Sequence, residues 1–243
     1  MPNNERLNTS KHLIAYLDIL GGKKMILEDN LDNKLNDVNE IYTCTKNIIE
    51  TAKQGLPCVL DWKIFSDNIL LTLKPEINDN EVNDRAICNF IAVLAFIQMK
   101  ALERNILLRG GVTVGEICSN ETFAWGKGLL KVIDLEENKA EFPRIIIDDE
   151  AKMTIDTVIS RNTDKIFNIG IDMDGWLFVD YLLHWGYAHI PQIQKHLNFV
   201  NGELLKNQRN TNVMQKLLWH NNYCLTYLNK VAQFQYGGVN GQQ

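Results

Sequence analysis

The sequence predicts an α+β fold built on a split βαβ sheet, the ferredoxin-like or palm arrangement, and three observations carry that expectation. Period-2 apolar runs stand at His12–Ile19, Cys58–Phe65, Asn68–Leu73 and Ile106–Ile117. Helical-period runs separate the first from the second and the third from the fourth, giving the order β-α-β-β-α-β. Two of the strand ends carry an aspartate, Asp18 and Asp67, on otherwise apolar or turn-forming segments.

In the segment HLIAYLDI, Leu13, Ala15, Leu17 and Ile19 alternate with Ile14, Tyr16 and Asp18. Both faces are apolar except at Asp18, as in a central strand covered on two sides. Gly21 and Gly22 give a permissive turn into a helix from Lys23 to Glu28, a geometry that presents backbone N–H groups to a phosphate. Val38, Ile41, Tyr42, Thr45, Ile48 and Ile49 recur at helical spacing over Val38–Thr51. The next two strands form a hairpin turning at Ser66-Asp67-Asn68, residue types that accept unusual backbone angles, so Asp67 lies at a strand tip.

Pro75 and the polar run Asn78-Asp79-Asn80 break the chain before a long helix, Glu81–Arg104, striped by Ile87, Phe90, Ile91, Leu94 and Ile97. The strand Ile106–Ile117 completes the split βαβ order and sets both aspartates on neighbouring strands at one sheet edge. Phe123-Ala124-Trp125-Gly126 then leads into a helix ending near Lys139, and Arg144–Ile147 reads as a further strand. Beyond Asp148 we expect a hairpin, Lys165–Asp172 and Trp176–Leu182, around Asp172-Met173-Asp174-Gly175, followed by helices over Gln192–Leu205 and Val213–Ala232. The tail GGVNGQQ is expected to be disordered.

Composition excludes several classes of function. At 243 residues and 45% apolar, the chain can bury a substantial core. Its 25 basic and 30 acidic residues give a net charge of −5, and the basic residues are scattered, so no footprint for a nucleic acid or an anionic membrane is expected. The N-terminus lacks an apolar core of the signal-peptide kind, and the longest apolar run, Ile87–Ile97, is too short to span a bilayer; a soluble cytoplasmic protein is expected. Cys44, Cys58, Cys88, Cys118 and Cys224 are odd in number and widely spaced, which argues against a disulfide framework or a zinc site and for ordinary buried thiols. The Asp172-Met173-Asp174-Gly175 segment lacks the ligand spacing of a calcium loop.

Two carboxylates on adjacent strands can hold a pair of Mg²⁺ or Mn²⁺ ions, the requirement of metal-assisted phosphoryl transfer. The segments AYLDILGG, WKIFSDNILL and LRGGVTVGE, followed by FAWGKGLLKVIDLE, resemble in order and spacing the class III nucleotidyl cyclases. Within that group the chain is most similar to the small pyrimidine cyclases of Pycsar antiphage systems. The matching residues are Asp18-Ile19-Leu20-Gly21, Phe65-Ser66-Asp67, Arg109-Gly110-Gly111, Trp125-Gly126 and Pro143-Arg144-Ile145. The resemblance covers roughly residues 11 to 185.

It implies conversion of a nucleoside triphosphate to a 3′,5′-cyclic monophosphate and pyrophosphate, by a homodimer with active sites at the subunit interface and a separate effector that senses the product. We expect a catalytic domain over 1–185, the stretch that carries the resemblance, and read the amphipathic region 186–243 as a helical extension packed on the same domain. The resemblance carries binding of two Mg²⁺ or Mn²⁺ ions onto Asp18, Asp67 and the Ile19 backbone, and triphosphate contact onto Leu20, Gly21 and Gly22 together with Ile19. Those ions would activate the ribose 3′-hydroxyl for in-line attack on the α-phosphorus, with no side-chain base required.

For the charge on leaving pyrophosphate, Arg109, Lys127, Lys131 and Arg144 are the candidate cations, and Arg109 is favoured as the catalytic one. A strand arginine between glycines could equally pair with a structural carboxylate. The departures from adenylyl cyclases are informative. The ribose-contacting Asn and the transition-state Arg of those enzymes fall on Leu130 and Asp134. Their adenine-reading pair falls on Lys63 and Phe123, an apolar ring replacing a carboxylate, which predicts a different base, UTP or CTP. Two rival readings are a cyclase fold that has lost its chemistry and binds a nucleotide or dimerises, and a diguanylate cyclase or polymerase palm. The second lacks both a GGDEF-like signature and a basic template channel.

Overall fold

β1 (Ser10–Ile19) is the strand about which the rest is arranged, because both of its faces are apolar. Leu13, Ala15, Leu17 and Ile19 belong to one buried cluster and Ile14 to another on the opposite face. The computed structural model describes residues 7–27, 31–54, 59–75, 79–120, 122–161, 168–185 and 189–237. After β1 come α1 (Gly22–Leu27), α2 (Leu31–Lys53), β2 (Val59–Phe65), β3 (Asn68–Lys74), α3 (Asn80–Glu103) and β4 (Leu108–Ser119). These pair antiparallel in the order β2-β3-β1-β4, the split βαβ arrangement expected.

The remaining elements extend the sheet and cover it. β5 (Ala124–Trp125) pairs with the end of β4, and α4 (Lys127–Asn138) returns across the sheet. β6 (Ile145–Ile147) runs parallel to β4; after α5 (Asp149–Arg161), the hairpin β7 (Ile169–Ile171) and β8 (Leu177–Val179) completes the order β2-β3-β1-β4-β6-β8-β7. α6 (Tyr181–Trp185), α7 (Ile190–Lys206) and α8 (Thr211–Gly237) follow. The larger core cluster includes residues from β1, α2, α3, β4, α5, α7 and α8. α4 covers the other face through Val132 and Leu129, packed with Ile14, Leu70 and Ile117.

The approach of α4 to β4 is set by glycine. A Cβ on Gly115 would lie 2.6 Å from Gly128 Cα, so this crossing of helix and strand is closer than any side chain permits. α3 begins where Asp79 accepts hydrogen bonds from Glu81 N at 3.0 Å and Val82 N at 3.1 Å. It extends beyond the apolar run Ile87–Ile97 at both ends, and its full 24 residues are long and apolar enough to cross a membrane; 67% of its apolar window is buried in the protein core instead.

Several differences from the sequence reading have physical causes. α5 was not expected, yet Asp148 caps it by accepting from Ala151 N at 2.9 Å, and Ala151, Ile155 and Val158 form its buried stripe. α2 starts earlier than the apolar pattern because its first turns are polar. The aspartates stand at the ends of central strands rather than on a lateral edge, since β2 and β7 are the outer strands. Cys224 is buried, whereas Cys44, Cys88 and Cys118 are partly exposed. Cys58 and the tail beyond Gly237 lie outside the described residues.

Where α7 and α8 meet the end of α3, two imidazoles are buried together. His196 Nε2 lies 2.9 Å from His220 Nε2, and His196 Nδ1 lies 3.0 Å from Oδ1 of Asn105, a residue at φ 56°. Burial pushes His196 down to about 4 and His220 well below its ordinary value. Because the folded-state values are depressed, the stability they hold is complete above about pH 6.5 and is lost as pH falls toward 4. At about 1.4 kcal/mol per pH unit, His196 alone should cost about 3 kcal/mol across that range. Urea unfolding at pH 7 and pH 4.5 measures this, and His196→Gln should flatten the dependence; equal stability of the parent at both pH values would refute it.

Candidate active site

The hairpin between β2 and β3 closes in two residues, Phe65 pairing with Asn68, and Ser66 takes the strained φ of 57°. This turn lifts Asp67 to the strand tip beside the end of β1. Ile19 N donates to the Asp67 carbonyl at 3.1 Å, tying the two aspartate-bearing segments together. In register, Asp18 faces Asn68 of β3 and Arg109 of β4. The structure therefore brings together Asp18, Ile19, Asp67 and Arg109.

Gly21 turns the chain at φ 80° into α1, and Gly22 packs against Asp67. A Cβ on Gly22 would lie 2.9 Å from both Asp67 Cβ and Cγ and inside the contact radius of Asp67 Oδ2. A cavity of about 230 Å³ opens here, lined by Ile19, Gly22, Met25, Lys34, Ser66 and Asp67. Gly22→Ala should displace the Asp67 carboxylate, and if that carboxylate holds a divalent cation, Mn²⁺ affinity should fall by about tenfold or more, the scale for disturbing a metal site's surroundings. Calorimetric titration with Mn²⁺ measures it, and unchanged affinity would remove Asp67 from metal binding.

Charge at this end of the sheet is dominated by carboxylates. Arg109 Nε lies 3.4 Å from Asp18 Oδ2 and 2.7 Å from Oε1 of Glu136, which α4 delivers from the other layer. Glu136 is almost fully buried, and its Oε1 has no hydrogen-bond donor among the described residues, because the ion pair is short but poorly aligned. Burial pushes Glu136 up to about 7, with the charges of Asp18, Glu137 and Asp67 adding to it and Arg109 opposing. Burial likewise raises Asp18, Arg109 pulling it back and Asp67 pushing it further. Tyr16, on the same face, is raised to about 12 by burial and then by the surrounding carboxylates.

This donor set suits a hard divalent cation. Two carboxylates and a backbone carbonyl are oxygen ligands, and they lie in a cluster where acidic groups exceed cations. No group of three His, Cys, Asp or Glu side chains among the described residues could enclose a metal. Mg²⁺ is ordinarily held by one or two carboxylates, with waters and substrate phosphates completing the shell, so the pair fits that mode.

The other candidate cations divide. Arg144 is fully buried and bound to Asp172 and Asp174, and Lys131 is paired with Asp148 at 2.8 Å and Glu150 at 2.7 Å. Lys127 is exposed at the start of α4. Two lysines outside the sequence reading take their place: Lys34 on the cavity wall, and Lys216 of α8. Burial lowers Lys216, Arg109 lowers it further, and Glu141, Asp18 and Glu136 oppose that. Neither has a local sequence signal, because each is one lysine on an amphipathic helix.

Lys63 and the Phe123 turn also come together. Lys63 Nζ donates to Asp61 Oδ2 at 2.8 Å, to Ser119 Oγ at 3.3 Å and to the Asn120 carbonyl, while Asn120 Oδ1 accepts from Phe123 N at 3.0 Å. All three lysine protons thus have acceptors within the chain. Asp61, two residues earlier on the same strand face, supplies a carboxylate that the reading of Phe123 did not expect here. Leu130 is 70% exposed and Asp134 faces solvent beside Asn138.

The chain matches no family profile and no curated protein. Among solved structures it is similar to the guanylyl cyclase Cya2, at 12% identity over 71% of this chain and 92% of that one, with a TM-score of 0.46. It is also similar to the monomeric guanylyl cyclase domain of the RhoGC fusion protein from the aquatic fungus Blastocladiella emersonii, at 12% identity, 70% and 95% coverage and a TM-score of 0.47. A bacterial light-regulated adenylyl cyclase is similar at 10% identity, 76% and 58% coverage and a TM-score of 0.48.

Proposed function

We propose that this chain is a class III nucleotidyl cyclase that converts a pyrimidine nucleoside triphosphate, UTP or CTP, to its 3′,5′-cyclic monophosphate and pyrophosphate. The observation that carries the reading is the meeting of Asp18 and Asp67 at the ends of β1 and β3, beside Gly22, on a split βαβ sheet. Mg²⁺ or Mn²⁺ ions held there would supply Lewis acidity to the ribose 3′-hydroxyl and neutralise charge on the triphosphate. Asp18, Asp67 and the Ile19 carbonyl hold the ions; Leu20, Gly21 and Gly22 approach the phosphates; Lys34 on the cavity wall balances charge on the leaving pyrophosphate, and Arg109 offsets the carboxylate charge beside the ions.

The base is read at the Lys63–Asp61–Ser119 cluster and the Phe123 turn, which Asn120 ties to that cluster and where Lys63 would exchange one of its internal acceptors for the base. Phe65, Phe123, Trp125 and Leu130 are 83, 39, 75 and 70% exposed, which supports a homodimer whose interface covers them and completes the active sites. In this reading the enzyme works in the cytoplasm, in antiphage defence, and a separate effector senses the cyclic nucleotide.

Incubation with each of the four nucleoside triphosphates and Mn²⁺, followed by mass spectrometry, tests the reading. The expected result is cyclic UMP or cyclic CMP plus pyrophosphate; a purine product alone would overturn the base assignment. A second reading, a cyclase fold that binds nucleotide without turning it over, is favoured by Leu130 and Asp134, which offer no ribose or phosphate contact, and by the full complement of partners on Lys63. Tight nucleotide binding with no product from any of the four would establish it.

A further inference from the structure

The contacts around Arg109 carry one step more, which rests on the metal-binding role proposed for Asp18 and Asp67. The guanidinium sits between two carboxylates, aligned with Asp18 at 3.4 Å and poorly aligned with Glu136 at 2.7 Å. Glu136 Oε1 is buried, points at that guanidinium, and has no hydrogen-bond donor among the described residues. A buried acceptor left this way costs free energy that a small rotation of Arg109 would recover. Asp18, meanwhile, cannot give its oxygens fully to a divalent cation while a guanidinium holds Oδ2. The two strand neighbours Asp18 and Arg109 are fixed by register, so the exchange needs only side-chain motion, with Glu136 held in place by α4.

We propose that Arg109 is a stand-in cation on Asp18 and that Glu136 is the positioning residue that receives it when a divalent cation binds Asp18 and Asp67. In the metal-free protein Arg109 offsets the repulsion between the carboxylates. With a divalent cation bound, that task would pass to it, and Arg109, already 2.7 Å from Glu136 Oε1, would turn into full alignment with Glu136 and satisfy that oxygen. Glu136 touches neither substrate nor metal; it sets how readily Asp18 is released. The sequence hides this, because Glu136-Glu137 near the end of α4 reads as part of a solvated helix face.

The test is Mn²⁺ binding to the full chain without nucleotide, followed by electron paramagnetic resonance of free Mn²⁺, in the parent, Glu136→Gln, Arg109→Gln and the double variant. Thermal unfolding of each checks the fold. Glu136→Gln, isosteric but unable to pair with Arg109, should weaken Mn²⁺ binding about tenfold. Arg109→Gln should strengthen it, and in that background the Glu136→Gln effect should shrink to about twofold or less, the mark of two residues acting through each other. Unchanged affinity in folded Glu136→Gln overturns the proposal and leaves the cyclase reading standing. An equal loss in both backgrounds overturns it by making Glu136 a direct metal ligand. If Arg109→Gln does not fold, Glu136→Asp decides: the shorter carboxylate should recover part of the affinity, and failure to recover any counts against the exchange. No Mn²⁺ binding by the parent overturns both this proposal and the metal-dependent reading beneath it.

Discussion

Asp67→Ala is expected to leave a folded chain that makes no cyclic nucleotide. Asp67 lies on a hairpin tip, partly exposed and packed against Gly22, and among the described residues its side-chain hydrogen bond is a long one, 3.4 Å from Asn68 Nδ2. Its removal also relieves repulsion on Asp18, so the melting temperature should hold or rise slightly, as is common where a site is built at the expense of stability. Turnover, by contrast, loses one of the two carboxylates that would hold the ions. Several kcal/mol of charge stabilisation at about 1.4 kcal/mol per decade corresponds to a loss of at least about a thousandfold. Product formation with Mn²⁺ and thermal unfolding, measured on the same preparation, check both halves. Near-normal turnover would take Asp67 out of the mechanism.

Arg144→Ala should do the reverse, damaging the fold rather than the chemistry. Its side chain is buried between the rings of Phe142 and Trp219, at 5.3 Å and 5.5 Å, and is bound to Asp172 and Asp174. Trp219 Nε1 in turn donates to Asp172 Oδ2 at 2.6 Å, so one guanidinium joins β6, the β7–β8 turn and α8. Removing one partner of a buried ion pair costs on the order of 3–5 kcal/mol, because the carboxylates are left without their counter-charge. Urea unfolding followed by tryptophan fluorescence should register that loss. Turnover per folded molecule should stay close to the parent's. A stable Arg144→Ala variant with selectively reduced turnover would return Arg144 to the list of leaving-group cations.

The two variants divide the matching motifs by their physical setting. Asp67 and Arg144 lie in segments of equal prominence along the chain, but one ends at a solvent-facing turn and the other is enclosed. The same division separates Arg109, half-open and shared between carboxylates, from Lys131, which braces α4 against Asp148 and Glu150.

Strand and helix order were legible in the sequence wherever alternation or helical spacing ran long enough. β1, the β2–β3 hairpin, α3 and β4 were expected within a few residues of their actual bounds, because burying one face leaves a periodic record in the chain. From that order followed the split βαβ sheet, and from the sheet the meeting of Asp18 with Asp67. α5 was missed although Asp148, Ala151, Ile155 and Val158 carry its cap and stripe, since the run is short and mostly polar.

What only the tertiary structure decided is the pairing of charges. Glu136 beside Arg109, Ser119 beside Lys63, Lys216 near Asp18, and Arg144 within its two aspartates all join residues on different elements or layers. Burial of an apolar face is a local, repeated demand and so leaves a pattern. A buried ion pair is met once, by whichever distant side chain the packing delivers, and neither partner marks its segment in advance. The amino-acid order therefore determined the scaffold and the two aspartates on it, and the packing of α4 and α8 against the sheet determined which charges surround them.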